Sequence, residues 1–353
     1  MNLENGSKER IGYFDLMKGV CIVLVIIGHC LDEKDIKLAN VHVWSMLEHL
    51  RMPLYFFLSG MFFKEYSGFV DFIVRKSNKL VIPFLSFCLL SSIPMIVVGQ
   101  IGLDFESVRK HCTWMLKFGG YLWFLRTLFF ANVFYYIYNK VTKNCNLFVR
   151  VLALCFVVAL GWIMNYSLPM DMDYRQSHTW IFTILSSVIV LPLIFVASSI
   201  RPLLAKFKNL RMIDVIIIGM LSLAVCYYTS IGGVYLKDCI IDNNPFAFYV
   251  ASFSAVTSCW SVCFLVKKLP YFTYAGRYSI IAYLVHYPLL KAVVYVCPEI
   301  NLYLVILIIL LSMPVFIWLF KTYLPAFVAQ RDVFVYENNR IKLNKDAFSL
   351  KKR

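Results

Sequence analysis

The chain has 353 residues, of which 60% are hydrophobic and only 16% are charged. So few charges cannot cover the surface of a soluble protein of this length, because soluble domains are nearer to half apolar. The net charge of +15 accompanies long apolar segments, so it indicates the positive-inside bias of a membrane protein. Nucleic-acid binding, which needs a basic patch on a soluble domain, is disfavoured.

Ten apolar segments approach the length of about 20 residues that crosses a bilayer as a helix. The predicted spans are 13–31, 43–63, 80–98, 121–139, 150–167, 179–198, 213–231, 246–266, 278–296 and 302–320. The sequence therefore predicts an all-α integral membrane protein, with a transmembrane domain over residues 1–320 and a polar, basic cytoplasmic tail over 321–353. No cysteine pair has C-x-x-C spacing, so no zinc site or redox dithiol is predicted.

Lys and Arg residues near the span ends decide the predicted orientation. They concentrate on one side of the membrane in every pair of loops except the pair that includes the 99–120 loop. The sparser set on the other side consists of Lys34, Lys37, Arg109, Lys110, Lys117, Arg175 and Lys237. Both termini are therefore predicted to be cytoplasmic.

The first predicted span carries ionisable residues, although a charge at the bilayer centre costs ~3 kcal/mol on insertion scales. Asp15 and Lys18 are three residues apart and can pair. Lys18 and His29 share nearly the same helix face at about 100° per residue, with about 16 Å of helix rise between them. One face thus presents a cation near the inner end and an imidazole near the outer end. The alternatives are that Lys18 snorkels to the inner interface and that His29 caps the outer end.

Charged residues also lie in the outer halves of the second and fourth spans. The second span contains Glu48, His49 and Arg51, and Arg126 lies one turn inside the fourth span. Glu48 and Arg126 are at similar depth, so an ion pair between them is predicted. Arg51 is predicted to have a functional or ion-paired role.

A basic helical face precedes the third span. Lys79 follows Arg75 by four residues and Lys76 by three, so the three side chains share one side of a helix. This face is a candidate phosphate site at the cytoplasmic mouth of the protein. Ordinary positive-inside anchoring is the alternative.

The ninth span carries His286 near mid-membrane, flanked by Tyr283, Tyr287 and Pro288. Two interpretations are open. The aromatic neighbours favour the wall of a pocket, whereas an isolated intramembrane histidine can also serve as a hydrogen-bonding contact between helices.

These residues together resemble the acyltransferase-3 family of membrane O-acyltransferases, in particular its fucose O-acetylase branch. The resemblance is carried by Asp15-Leu-Met-Lys18-Gly19 with Gly28-His29, by Met52-Pro53 through Ser59-Gly60, by the basic run 75–79 ahead of Pro83, by Trp123-Phe124-Leu125 and by Tyr283-Leu-Val-His286. The chain departs from the family at Lys18, where Arg is common, at Lys76 and Lys79, where two Arg are common, and at Arg51, where many members carry His.

The resemblance implies transfer of an acyl group, usually acetyl, from acyl-CoA to a sugar hydroxyl of a surface glycan or its lipid-linked precursor. Acyl-CoA is then a substrate, and no permanently bound cofactor or metal is implied. The implied location is the cell membrane, in bacteria the inner membrane. A transporter or flippase for a lipid-linked saccharide is the alternative function, and polar residues that only hold the bundle together are a third interpretation.

The implied roles divide the candidate residues into two groups, and Lys18 and His29 of the first span are expected to turn inward to one water-filled crevice. The catalytic candidates are His29 as general base, Arg51 or Arg126 as oxyanion or sugar ligand, and His286. The candidates for holding the donor phosphates are Lys18, Arg75, Lys76 and Lys79.

Overall fold

A computed structural model describes residues 12–36, 41–207 and 209–349. Several basic residues that bear on the predicted orientation and tail lie outside the described residues: Lys8, Arg10, Lys37, Lys208, Lys351, Lys352 and Arg353. Within the described part, nearly all of the chain between its loops is helical.

Seventeen α-helices occur among the described residues. In chain order they are α1 (Gly12–Glu33), α2 (Val41–Met61), α3 (Phe69–Lys76), α4 (Ile82–Leu90), α5 (Ser92–Val97), α6 (Phe105–Phe118), α7 (Trp123–Thr142), α8 (Leu147–Ser167), α9 (Met172–Ser177), α10 (Thr179–Ile189), α11 (Leu191–Ile200), α12 (Leu204–Phe207), α13 (Met212–Thr229), α14 (Pro245–Val266), α15 (Pro270–Arg277), α16 (Ser279–Val296) and α17 (Leu302–Tyr323). A π-helical turn, Ser77–Val81, joins α3 to α4.

Two short antiparallel hairpins occur in the described part of the chain. Strands β1 (Val234–Tyr235) and β2 (Ile240–Ile241) pair between α13 and α14. Strands β3 (Phe334–Glu337) and β4 (Arg340–Leu343) pair after the last helix, with Phe334 opposite Leu343.

Eight helical segments in the described ranges are long and apolar enough to cross a membrane. They confirm the predicted all-α, multi-span membrane fold. The second and fourth predicted spans also form long helices, α2 and α7. Polar side chains such as Glu48, Arg51 and Arg126 make these two helices less apolar, so the number of ten spans stays a prediction.

Helix α1 lies at the centre of the bundle. It is the most buried of the eight candidate spans, and it packs against α2, α14, α15, α16 and α17. A Cβ atom on Gly276 of α15 would overlap the carbonyl oxygen of Asp15 in α1. Only glycine permits this backbone approach, which fixes α1 against α15.

The C-terminal segment is folded against the π-helical turn, although the sequence predicted only a polar, basic tail. Asn78 in that turn is buried. Its Oδ1 accepts hydrogen bonds from the backbone N–H groups of Val333 and Phe334, both at 2.9 Å, and its Nδ2 donates to the Phe334 carbonyl at 2.7 Å. One buried side chain therefore holds the start of the β3–β4 hairpin in place.

Candidate active site

An outer cavity of 690 Å³ contains His29, and its volume lies in the range of small-molecule sites, about 300–1,000 Å³. We call it outer because it lies at the predicted outer end of α1. Its wall includes the aromatic residues Trp114, Tyr121, Trp123 and Tyr287 and the ionic residues Asp32, Glu33, Lys237 and Lys291. Aromatic faces beside hydrogen-bonding groups suit a polar organic molecule with apolar faces.

His29 lies beside a second histidine. The ring centroids of His29 and His286 are 5.4 Å apart, and Tyr287 meets the His29 ring edge-on at 5.3 Å. The Nδ1 atom of His29 is 3.8 Å from an Asp32 carboxylate oxygen. His286 is buried, with Nδ1 at 3.1 Å from the Ala282 carbonyl oxygen and Nε2 without a hydrogen-bond partner among the described residues. The structure thus brings two of the predicted catalytic residues together.

Arg51 packs against α1 immediately before the candidate base. A Cβ atom on Gly28 would overlap the Arg51 guanidinium, so the missing side chain at Gly28 makes the space that Arg51 fills. The guanidinium also lies 4.3 Å from the centre of the Trp44 ring and 3.5 Å from Glu48. The Arg51 guanidinium of α2 therefore lies against Gly28, the residue that precedes His29 in α1. The sequence was compatible with this contact but did not predict it.

The predicted ion pair between Glu48 and Arg126 was wrong. Glu48 binds Arg51 instead, and its Oε2 accepts a hydrogen bond from the backbone N–H of Val234 at 2.9 Å. Arg126 is buried and faces other partners. Equal depth in the membrane does not determine the direction in which a side chain leaves its helix, and this direction separates the two residues.

Arg126 binds the C-terminal end of α6. Its Nη1 donates to the carbonyl oxygens of Leu116 at 3.3 Å and Lys117 at 3.2 Å, and its Nη2 donates to Thr183 Oγ1 at 3.3 Å. Carbonyls at a helix end lack partners within the helix, so a cation there satisfies them and complements the helix dipole. Arg126 is not among the residues that line the outer cavity.

Helix α6 was not predicted, because its 14 residues are too few and too polar for a membrane span. It contributes His111, Trp114 and Met115 to the outer cavity. His111 Nε2 is 2.9 Å from Ser91 Oγ, and burial lowers the pKa of His111. Arg126 therefore supports the outer cavity through α6.

Lys237 is a cavity residue that the sequence did not single out. It lies in the turn between β1 and β2, and both of its neighbours are held through their carbonyl oxygens. Ser186 Oγ donates to Leu236 at 2.6 Å, and Arg175, which is fully buried, donates to Asp238 at 2.9 Å. A lysine in a polar loop carries no sequence signal of the cavity that it faces.

The two lysines of the outer cavity differ in their ionic partners. Lys291 is 2.8 Å from Glu33. Lys237 forms no ion pair with any described residue, although its charge opposes the rise in pKa that burial causes in the adjacent Asp238. The turn that carries Lys237 is held in place, and its ammonium is thus available to bind a ligand.

Three of the four predicted donor residues share a second cavity. This inner cavity of 160 Å³ is lined in part by Arg75, Lys76 and Lys79. The three cations have different partners: Asp71 lies 2.7 Å from Arg75, Asn132 accepts from Lys76 at 2.7 Å, and Asp332 lies 3.0 Å from Lys79. The basic face predicted from helical spacing is therefore present and borders an open space.

Lys18 lies outside both cavities. Its ammonium is 5.1 Å from the centre of the Phe62 ring, and it lines neither the outer nor the inner cavity. The structure therefore does not place Lys18 with the other three donor candidates.

An aromatic layer separates the two cavities. Along α7, Trp123 lines the outer cavity and Leu128 lines the inner cavity, with Phe124 between them. Phe124 is buried and contacts the rings of Tyr55 at 5.6 Å and Tyr283 at 5.7 Å. The two cavities share no lining residue, so a single crevice from Lys18 to His29 stays a prediction.

Residues 11–321 match the acyltransferase-3 family, whose members share an acyltransferase domain. The chain belongs to the acyltransferase-3 family. No curated protein and no solved structure matches the chain. With the eight candidate spans, the family identifies a membrane acyltransferase.

The acyltransferase-3 match includes every residue of the outer cavity and of the basic face 75–79. It stops before the C-terminal segment that carries Asp332. Acyl transfer needs a group that accepts the proton of the nucleophile and charge that stabilises the developing oxyanion. His29 and the nearby cations Arg51 and Lys237 are side chains of these two kinds.

Proposed function

We propose that this acyltransferase-3 protein transfers an acetyl group from acetyl-CoA to a sugar hydroxyl of a surface glycan or its lipid-linked precursor. The observation that carries the proposal is the position of His29 in an aromatic, ion-lined cavity, on the opposite side of an aromatic layer from a basic cavity. The sugar enters the outer cavity, and the donor binds from the cytoplasm. A fucose-type sugar is the first acceptor to test, and a bacterial inner membrane is the proposed location.

The inner cavity holds the phosphate groups of the donor in this proposal. Phosphates bind through charge-assisted hydrogen bonds to Arg and Lys side chains, and Arg75, Lys76 and Lys79 line this cavity together. At 160 Å³ the cavity accommodates part of the donor rather than all of it. The acyl-bearing arm then extends towards Phe124 and the outer cavity, and Lys18 lies on the same predicted side as the phosphates.

His29 acts as the general base. Its neutral imidazole accepts the proton of the sugar hydroxyl while the hydroxyl oxygen attacks the thioester carbonyl. The new C–O bond forms, the C–S bond breaks, and the CoA thiolate takes the proton back from the imidazolium. Asp32, 3.8 Å from His29, stabilises the imidazolium in between. The net reaction converts an alcohol and an acyl thioester into an ester and a thiol.

The cations near His29 have separate roles in this mechanism. Arg51 lies beside Gly28 and stabilises the oxyanion of the tetrahedral intermediate. Lys237 contacts the sugar, since it lines the cavity and pairs with no acidic side chain among the described residues. Arg126 and His286 are positioning residues, because Arg126 binds the end of α6 and His286 packs against the His29 ring.

The aromatic layer must open during turnover. The rings of Tyr55 and Tyr283 pack against Phe124, and in this proposal the acyl arm passes only when these rings move apart. Loop and side-chain gating of this kind excludes water from a reactive thioester.

The test uses purified protein in lipid nanodiscs with radiolabelled acetyl-CoA and a panel of free and lipid-linked sugars. Label in a sugar ester, with release of one CoA per ester, supports the proposal. Sugar movement across the bilayer without CoA release would favour the transporter alternative. Mass spectrometry of surface glycans from cells with and without the gene then identifies the acceptor.

A further inference from the structure

The C-terminal segment, residues 324–349, supplies part of the wall of the inner cavity, although the family match ends at residue 321. Asp332 lines the cavity, and its Oδ1 is 3.0 Å from the Lys79 ammonium. The same ammonium donates to the Ala329 carbonyl oxygen at 2.9 Å. This segment therefore binds Lys79, one of the three cations of the proposed donor site.

The ion pair is not what holds the segment in place. Asn78 makes three hydrogen bonds to the backbone of Val333 and Phe334, directly after Asp332. Asn78 is buried, whereas the side chains of Lys79 and Asp332 remain 49% and 37% exposed. The docking of the segment and the charge of Asp332 are thus separable by mutation.

The charges around the cavity assign Asp332 a role that no other lining residue has. Arg75 is neutralised by Asp71, which lies outside the cavity wall, and Lys76 binds the uncharged Asn132. Asp332 is a carboxylate on the wall itself. A phosphate group binds ammonium and guanidinium groups through the same ionic contacts as a carboxylate, so it competes with Asp332 for Lys79.

We propose that Asp332 sets the anion affinity of the donor site, as a resident carboxylate that a donor phosphate replaces at Lys79. The carboxylate weakens the binding of every anion, and a ligand that carries several phosphates overcomes this cost through its additional contacts. Removal of the carboxylate should therefore tighten the binding of a polyphosphate ligand such as CoA. This inference rests on the proposed use of acyl-CoA.

The test measures binding of CoA and of inorganic pyrophosphate by calorimetry, with the full-length protein in nanodiscs. Asp332→Asn should bind both ligands about twofold to fivefold more tightly, which is the range of a partly exposed ion pair. Glu337→Gln is the matched control, because it removes the same charge from the same C-terminal segment. Glu337 is 60% exposed, lies 3.6 Å from Lys342 and is away from the cavity. Its affinities should equal those of the wild type.

Three results would overturn the inference. Weaker binding by Asp332→Asn would show that Asp332 positions Lys79 for the ligand instead of competing with it. Equal binding by wild type and Asp332→Asn would remove Asp332 from the site while leaving CoA as the donor. Absence of CoA and pyrophosphate binding in both proteins would overturn the donor assignment as well.

Discussion

The guanidinium of Arg51 occupies the space that a side chain at Gly28 would fill, one residue before His29. This contact joins α2 to α1 at the proposed reaction centre. It explains why glycine precedes the candidate base, and it places a cation beside the base, with Glu48 as an ionic partner of that cation at 3.5 Å.

Gly28→Ala should displace Arg51 while leaving the fold intact, because the atom that must move is the end of a flexible side chain. We expect kcat to fall roughly 10- to 100-fold, the effect of a misplacement of about 1 Å in an active site. The unfolding temperature should change little. Gly12→Ala is the matched control on the same helix, since its Cβ would meet the Lys267 carbonyl oxygen at an ordinary 3.5 Å. Full activity of Gly28→Ala would remove Arg51 from the mechanism.

Arg126→Met tests the positioning role of Arg126. Loss of its hydrogen bonds to the last carbonyls of α6 should lower stability by about 1–3 kcal/mol. Amide exchange across residues 105–118 should become faster, and KM for the sugar should rise. Arg109→Gln, on the exposed face of α6, should leave all three unchanged. An oxyanion role for Arg126 would instead appear as a loss of roughly 10²–10³ in kcat with unchanged exchange.

Lys237→Gln tests the contact between Lys237 and the sugar. We expect KM for the acceptor to rise roughly 10- to 100-fold, because a hydrogen bond from a charged donor is lost, while CoA affinity stays constant. Lys110→Gln provides the comparison, since Lys110 is 74% exposed and outside the cavity. A Lys237→Gln variant with wild-type kinetics towards every acceptor would refute the assignment.

The features predicted correctly are those that hydropathy and helical spacing specify. The long helices α1 and α17 follow from apolar length. The shared basic face of Arg75 and Lys79 follows from i,i+4 spacing. His29 was identified because an imidazole in an apolar helix needs a polar surrounding, and it does line a cavity.

The features that were missed depend on side-chain direction and on contacts between distant segments. Arg126 and Glu48 have similar depth but point to different neighbours. Lys237 faces the cavity because Arg175 and Ser186 hold its turn, and neither contact is visible in a loop sequence. The C-terminal segment docks against Asn78. Nothing in the sequence distinguishes Asn78 from the other residues of the run 75–79, so this contact was not predicted. Packing of Phe124 between the cavities likewise requires the arrangement of three helices.

The most direct test of the account compares wild-type protein with His29→Gln in nanodiscs, measuring label transfer from acetyl-CoA to sugar together with CoA affinity. Glutamine retains hydrogen bonding but cannot act as a base. We predict a loss of roughly 10²–10⁴ in turnover, the usual contribution of general-base catalysis, with unchanged CoA affinity and unfolding temperature. Sugar acetylation by His29→Gln at the wild-type rate would contradict the central claim.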